Sequence, residues 1–186
     1  MSRHKRGSVG FIGRSHPKSD DPISIRQVWD DAILIRYGPL IKAVLDIPNS
    51  LKARLQNEKK SIPNPIEGYV LIDTGSDFTS VAEHVVREFN IIPTGTMLTH
   101  GVHETKQVLS YYITISIPGK NKVFTMTEEV ATANIEFAFI NLEREKKIKV
   151  LGLLGREFFI DKKLVCDFPN NVVTIVDERI PIKIGK

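Results

Sequence analysis

The sequence predicts a small, mostly antiparallel β protein, a barrel or a sandwich, with one clear helix. Three observations carry that expectation. Short β-branched and aromatic runs recur between Pro, Gly, Asn and Asp turn signals. Ile113, Ile115 and Ile117 alternate with Thr114 and Ser116, the period of a half-buried strand. Only one segment has convincing helical spacing, with Val81, Val85 and Phe89 at i, i+4 and i+8. A length of 186 residues suits one domain with appendages, and no internal repeat suggests a solenoid or propeller.

Residues 1–22 read as a tail rich in Gly, Ser and charge, and residues 23–186 as the folded domain. Residues 23–25 and 33–37 are β-prone, with Asp30-Asp31 as a turn, so 23–38 is expected to form an extra hairpin. Residues 40–47 read as a strand that stops at Pro48-Asn49. Residues 49–66 are charged and hold Pro63 and Pro65, hence an inserted loop, in which Leu51 and Leu55 permit one or two helical turns. Gly68 to Ile72 is a continuous apolar run, the pattern of a buried strand. Residues 80–89 form the expected helix, with Ser80 and Glu83 as a capping box.

Residues 97–117 read as a hairpin turning over Gly101 to Thr105, and Pro118 to Asn121 turns into a strand at 122–126. Residues 135–140 and 149–154 are further strands, the second stopping at Gly155 before a short helix at 156–159. Residues 164–168 and 172–176 close the chain as a hairpin over Pro169-Asn170-Asn171.

Composition excludes several classes. The chain is 41% hydrophobic and 26% charged, so it can build a core and is not a disordered polyampholyte. No apolar run approaches the roughly 18 residues of a membrane span. Residues 1–6 lead into no apolar segment, so no secretory signal is read. One cysteine, Cys166, excludes an internal disulfide and a multi-Cys zinc site. The expectation is a cytoplasmic protein that does not contact membrane. Net charge is +4, yet Arg3, Lys5, Arg6, Arg14 and Lys18 place five basic and no acidic residues within 1–19, leaving −1 elsewhere. Such an arm can touch nucleic-acid phosphates; with no aromatic residues interleaved in a stacking pattern, a solvated terminus is the simpler reading.

Chemistry concentrates at Asp73-Thr74-Gly75-Ser76, directly after the apolar strand. A carboxylate there emerges from the core into a cleft. Gly75 allows a tight turn and offers its N–H to that carboxylate, and the Thr74 and Ser76 hydroxyls can orient the acid or its neighbours. An Asp-Thr/Ser-Gly triplet arises by chance in roughly one chain in ten of this length. Its position after a buried strand, and the later run Val150 to Phe159, make an ordinary polar turn the weaker explanation.

Together, Leu71-Ile72-Asp73-Thr74-Gly75-Ser76 and Leu153-Leu154-Gly155-Arg156-Glu157-Phe158-Phe159 resemble the retropepsin-like aspartic proteases, and Cys166 to Val173 is similar to that family's last hairpin. The resemblance covers roughly residues 39–178. It implies a small closed barrel of the single-lobe acid protease type with one or two short helices and a flap hairpin. It implies Asp73 as the catalytic acid, Thr74 as the residue gripping its counterpart across a dimer, and Gly75 and Ser76 as hydrogen-bonding the carboxylate. Leu154 and Gly155 would back the catalytic loop, and Gly101, Val102 and His103 would lie in the substrate-binding flap. The activity implied is peptide hydrolysis on an extended polypeptide by a homodimer, with no cofactor and no metal. No second Asp-Thr-Gly or Asp-Ser-Gly occurs, so one chain holds half a site. The other reading is an inactive retropepsin-fold dimerisation and binding module whose residues 1–19 contact nucleic acid.

Other candidates read more simply as structure. His100, His103 and Glu104 sit on a turn without the spacing of a zinc hydrolase. His84 falls away from Val81 and Val85, as an exposed histidine. Cys166 reads as a small buried residue. Gly7, Gly10 and Gly13 precede no Lys-Ser/Thr, so they are not a phosphate loop.

Overall fold

The β-branched residues of the chain bury one face of each strand, and the strands solve this by wrapping around a shared interior. The computed structural model describes residues 24–28, 33–100, 105–119, 123–135, 139–141 and 147–177. In chain order the elements are β1 (Ser24–Val28), α1 (Ile33–Tyr37), β2 (Leu40–Asp46), α2 (Asn49–Asn57), β3 (Ile66–Ile72), β4 (Ser80–Ala82), α3 (Glu83–Phe89), β5 (Gly95–His100), β6 (Thr105–Pro118), β7 (Val123–Ala133), β8 (Phe139–Asn141) and β9 (Lys147–Leu154). A 3₁₀ turn (Arg156–Phe159), β10 (Lys162–Asp167) and β11 (Val172–Asp177) follow. The fold is mainly β, as expected. No described helix is long and apolar enough to cross a membrane.

Six strands in the order β2-β3-β9-β4-β7-β6 close into a ring, because β2 pairs with both β3 and β6. Ile113, Ile115 and Ile117 of β6 are buried inside it, while Thr114 and Ser116 are half-buried on the other side. There the hydroxyls of Thr114 and Thr127 meet at 2.9 Å across the β6–β7 ladder. Leu40, Leu45, Val81, Val150, Leu151 and Leu154 fill the same interior. Beyond the ring, β5 pairs with β6 from Gly95↔Ser110 to His100↔Thr105, the expected hairpin. The turn residues 101–104, and so Gly101, Val102 and His103, lie outside the described residues, as does the 1–22 tail.

A second, three-stranded sheet has the order β1-β11-β10. The β10–β11 pair is the expected closing hairpin. The expected 23–38 hairpin does not form. β1 pairs with the distant β11, from Ser24↔Val176 to Val28↔Val172, and residues 33–37 are helical. The β-branched residues there serve a helix because Ile33 and Leu34 are needed in the core. The Leu34 N–H donates to Asn171 Oδ1 (3.0 Å). Gly38, at φ +86°, ends the helix and returns its N–H to the Leu34 carbonyl.

Two further boundaries differ from expectation. Of the inserted 49–66 segment, Asn49–Asn57 is helix α2, with Leu51 and Leu55 against the core. The helix expected over 80–89 begins only at Glu83. Ser80, Val81 and Ala82 are a strand held between β9 and β7, so Ser80 spends its backbone on the ladder and does not cap. Val85, Val86 and Phe89 still bury the α3 face. Of the strand expected over 135–140, Ile135 is buried and the described strand is Phe139–Asn141; residues 136–138 lie outside the described residues. His84 is half-buried, not exposed, and burial, followed by the nearby Lys149, pushes its imidazole below the ordinary value. Cys166 is half-buried, and burial pushes its thiol up.

Close strand approach fixes Gly152. A Cβ there would stand 2.3 Å from the Ser80 carbonyl oxygen and 3.1 Å from Val81 Cα. Gly152→Ala must therefore part β9 from β4, and an overpacked backbone costs about 1–3 kcal/mol. Chemical denaturation should show the midpoint falling accordingly; an unchanged midpoint would contradict the close approach.

Candidate active site

β3 and β9 run parallel and in register from Val70↔Gly152 to Ile72↔Leu154. β4 pairs antiparallel with the other edge of β9. The chain leaving β3 at Asp73 must therefore pass over the end of β9 to enter β4 at Ser80. Residues 73–79 make that crossing, and the residues that follow β9 lie under it. The Asp73 N–H donates to the Leu154 carbonyl at 3.0 Å. At Gly155 a Cβ would lie 2.4 Å from the Phe78 carbonyl carbon, so only glycine fits beneath the loop. Leu154 and Gly155 thus back the Asp73 loop at the positions expected of them.

The acid sits at the mouth of this crossing, half-buried, with Thr74 and Gly75 exposed beside it. The Gly75 N–H donates to Asp73 Oδ1 at 2.9 Å, which orients the carboxylate. The Ser76 N–H closes the turn onto the Asp73 backbone carbonyl at 3.2 Å. The Ser76 hydroxyl donates to the Phe78 carbonyl at 2.8 Å. Gly75 therefore does what was expected of it, whereas Ser76 braces the loop and leaves the carboxylate to its neighbour.

Residues after β9 clamp the same loop. Arg156 N–H donates to the Ser76 carbonyl (2.9 Å) and Glu157 N–H to the Asp77 carbonyl (3.3 Å). Gly155 N–H donates to Thr79 Oγ1 (3.1 Å), a buried bond. Thr79 N–H in turn donates to Glu157 Oε1. The Arg156 guanidinium pairs with Asp77 across the surface; an exposed pair of this kind adds little stability. Thr79 and Asp77 gave no sign in the sequence. Glu157 stood inside the second motif, but its role emerges only when β9 brings residues 155–157 under residues 76–79.

His100, on the ribbon, holds Thr105 Oγ1 at 2.9 Å through Nδ1, tying the two strands just below the turn. A groove of about 1180 Å³ lies elsewhere, between α2, the end of α3 and the outer face of β6–β7; Leu55, Phe89, Ile92 and Tyr112 line it and Asp73 does not. No protein-family model matches the chain, and no curated protein matches it.

Thr79 offers a direct check on the clamp. Thr79→Val keeps the shape and leaves the buried Gly155 N–H without an acceptor, which costs about 1–3 kcal/mol. For a chain of this size that is a loss of about 2–12 °C in melting temperature. An unaltered melt would mean that the Thr79 hydroxyl does not hold Gly155.

Proposed function

We propose that the chain is a retropepsin-like aspartic endopeptidase acting as a homodimer. The observation that carries this reading is the Asp73 carboxylate, oriented by Gly75 N–H and carried over the end of β9 on a loop seated by Leu154 and Gly155. The ring of six strands would be the closed barrel of the single-lobe acid proteases, and the β5–β6 ribbon its flap. Aspartic proteolysis needs two carboxyl groups. One, ionised, takes a proton from a water as that water attacks the scissile carbonyl; the other, protonated, donates to the carbonyl oxygen. Two carboxylates placed so closely cannot both ionise, so they share one proton.

Since the sequence holds one Asp-Thr-Gly, the second carboxyl would be Asp73 of another copy, brought close to a two-fold axis. Thr74, exposed at the front of the loop, would then face its counterpart. A polypeptide would bind extended between the ribbon and the Asp73 loop, adding a strand by backbone hydrogen bonds. Neither metal nor cofactor enters this chemistry.

Asp73→Asn should lower peptide cleavage by at least about 10³-fold while circular dichroism and melting stay native. Cleavage is measured on a mixed peptide library in mildly acidic buffer, where a shared proton is retained. Full turnover in that variant would remove the mechanism. Sedimentation should show a dimer, at the least with a substrate-like peptide inhibitor; a strictly monomeric active chain would remove the shared site. A folded dimer with no turnover would point instead to the binding-module reading.

A further inference from the structure

The β5–β6 ribbon leaves the ring at one place. The β6–β7 ladder stops at Ser110↔Ala131, and from Leu109 back to Thr105 the strand beside β6 is β5. The other edge of β5 has no strand partner among the described residues. Leu98 and Leu109 stand exposed, so the packing of these side chains does not set the ribbon's direction. That direction depends on how the root is held.

Side chains of β7 hold the root from both faces. Glu129 lies opposite Tyr112 on the outer face. Its Oε1 accepts from the Ser110 hydroxyl at 2.7 Å and from the hydroxyl of Thr94, which leads into β5, at 3.1 Å. Thr94 also reaches the Ser110 carbonyl, through its N–H at 2.8 Å and its hydroxyl at 3.2 Å. One carboxylate oxygen therefore ties both strands of the ribbon, and the Ser110 it holds is fully buried. Gly95 leaves room for the tie: a Cβ there would stand 3.3 Å from Ser110 Oγ and 3.5 Å from Glu129 Oε1. Three residues on, and so on the opposite face of the strand, the Thr132 hydroxyl donates to the Leu109 carbonyl at 3.2 Å.

The same stretch of β7 also meets the end of the Asp73 loop. Ala131 is paired with Ser110 on one side and with Ser80 on the other, and Ser80 follows Thr79 directly. Two strand spacings, about 10 Å, separate the ribbon's root from that loop.

We infer that Glu129 is a positioning residue, which fixes the root of the ribbon through Thr94 and Ser110 and so sets the ribbon's direction relative to the Asp73 loop. Without the carboxylate, the buried Ser110 hydroxyl loses this acceptor and the two strands lose their shared anchor. The ribbon then swings and frays while the ring keeps its core. The effect on the ribbon's motion stands without any activity; the link to turnover rests on the protease reading.

The test uses the full chain and two readouts, amide hydrogen exchange and, separately, cleavage of the peptide library. In Glu129→Ala, the ladder amides of residues 96–100 and 105–109 should exchange about three- to tenfold faster, and those of β2, β3 and β9 at the wild-type rate. Glu129→Gln keeps an oxygen within reach of both hydroxyls and should restore the ribbon's exchange. Ser110→Ala should loosen the ribbon as well, and the double variant no further than either single one, because both remove the same tie. In cleavage, a loosened ribbon binds substrate and transition state equally less well, so Glu129→Ala should raise KM about three- to tenfold with kcat within about twofold, and Glu129→Gln should recover KM. Unchanged ribbon exchange in Glu129→Ala, acceleration spread evenly over ring and ribbon, or no rescue by Glu129→Gln overturns the inference, whatever the cleavage. A loosened ribbon with unaltered KM in an active protein overturns the link to turnover. Acceleration confined to the ribbon and rescued by Gln, with no cleavage even by the wild type, upholds the inference and sinks only the protease reading.

Discussion

One parallel and one antiparallel strand pairing share β9, and the loop between β3 and β4 has to bridge them. Few backbone polar groups are left over at such a crossing. The Asp73 N–H reaches the Leu154 carbonyl, and the Gly155, Arg156 and Glu157 amides each find an acceptor in residues 76–79. A loop satisfied in this way does not wander, because freeing it would bare several buried amides at once. The carboxylate gains its fixed direction from that economy, and so does the glycine requirement at 152 and 155, where backbone meets backbone without room for a methyl group. The Asp73 site is thus a consequence of strand order before it is a consequence of any side chain.

The sequence made the strands legible where a simple period governed them. The alternating isoleucines of β6, the apolar run of β3 and the Asn-rich turn of the last hairpin are all local signals, and each emerged as read. It was silent or misleading wherever a distant partner decided. Residues 33–37 have strand-like composition, but β1 takes β11 as its neighbour, so that stretch is released to coil over the core. The clue that was available is Tyr37-Gly38-Pro39, a glycine stop followed by proline, which terminates helices. Ser80 looked like a cap because the capping box is a local pattern; the ladder on both sides of β4 outbid it.

At the candidate site the same division holds. Asp73, Gly75, Leu154 and Gly155 were readable because their chemistry and their order along the chain are visible together. The Ser76 hydroxyl could be read as bonding the acid or the neighbouring backbone, because a serine offers no indication of which it will choose; the fold gives it the Phe78 carbonyl. Thr79 and Glu157 lie 78 positions apart, and nothing but the fold introduces them.

β1 has a consequence for how the molecule keeps to itself. It occupies one whole edge of β11, while β10 occupies the other. Ile25, buried to 3%, plugs that corner of the interior. A chain clipped after residue 28 would present β11 as an uncovered row of amides and carbonyls flanked by Val173 and Ile175. Such a rim invites runaway stacking of one molecule on the next. The five-residue strand becomes the sheet's edge in place of β11; it is short and carries Arg26 and Gln27, features that discourage such joining.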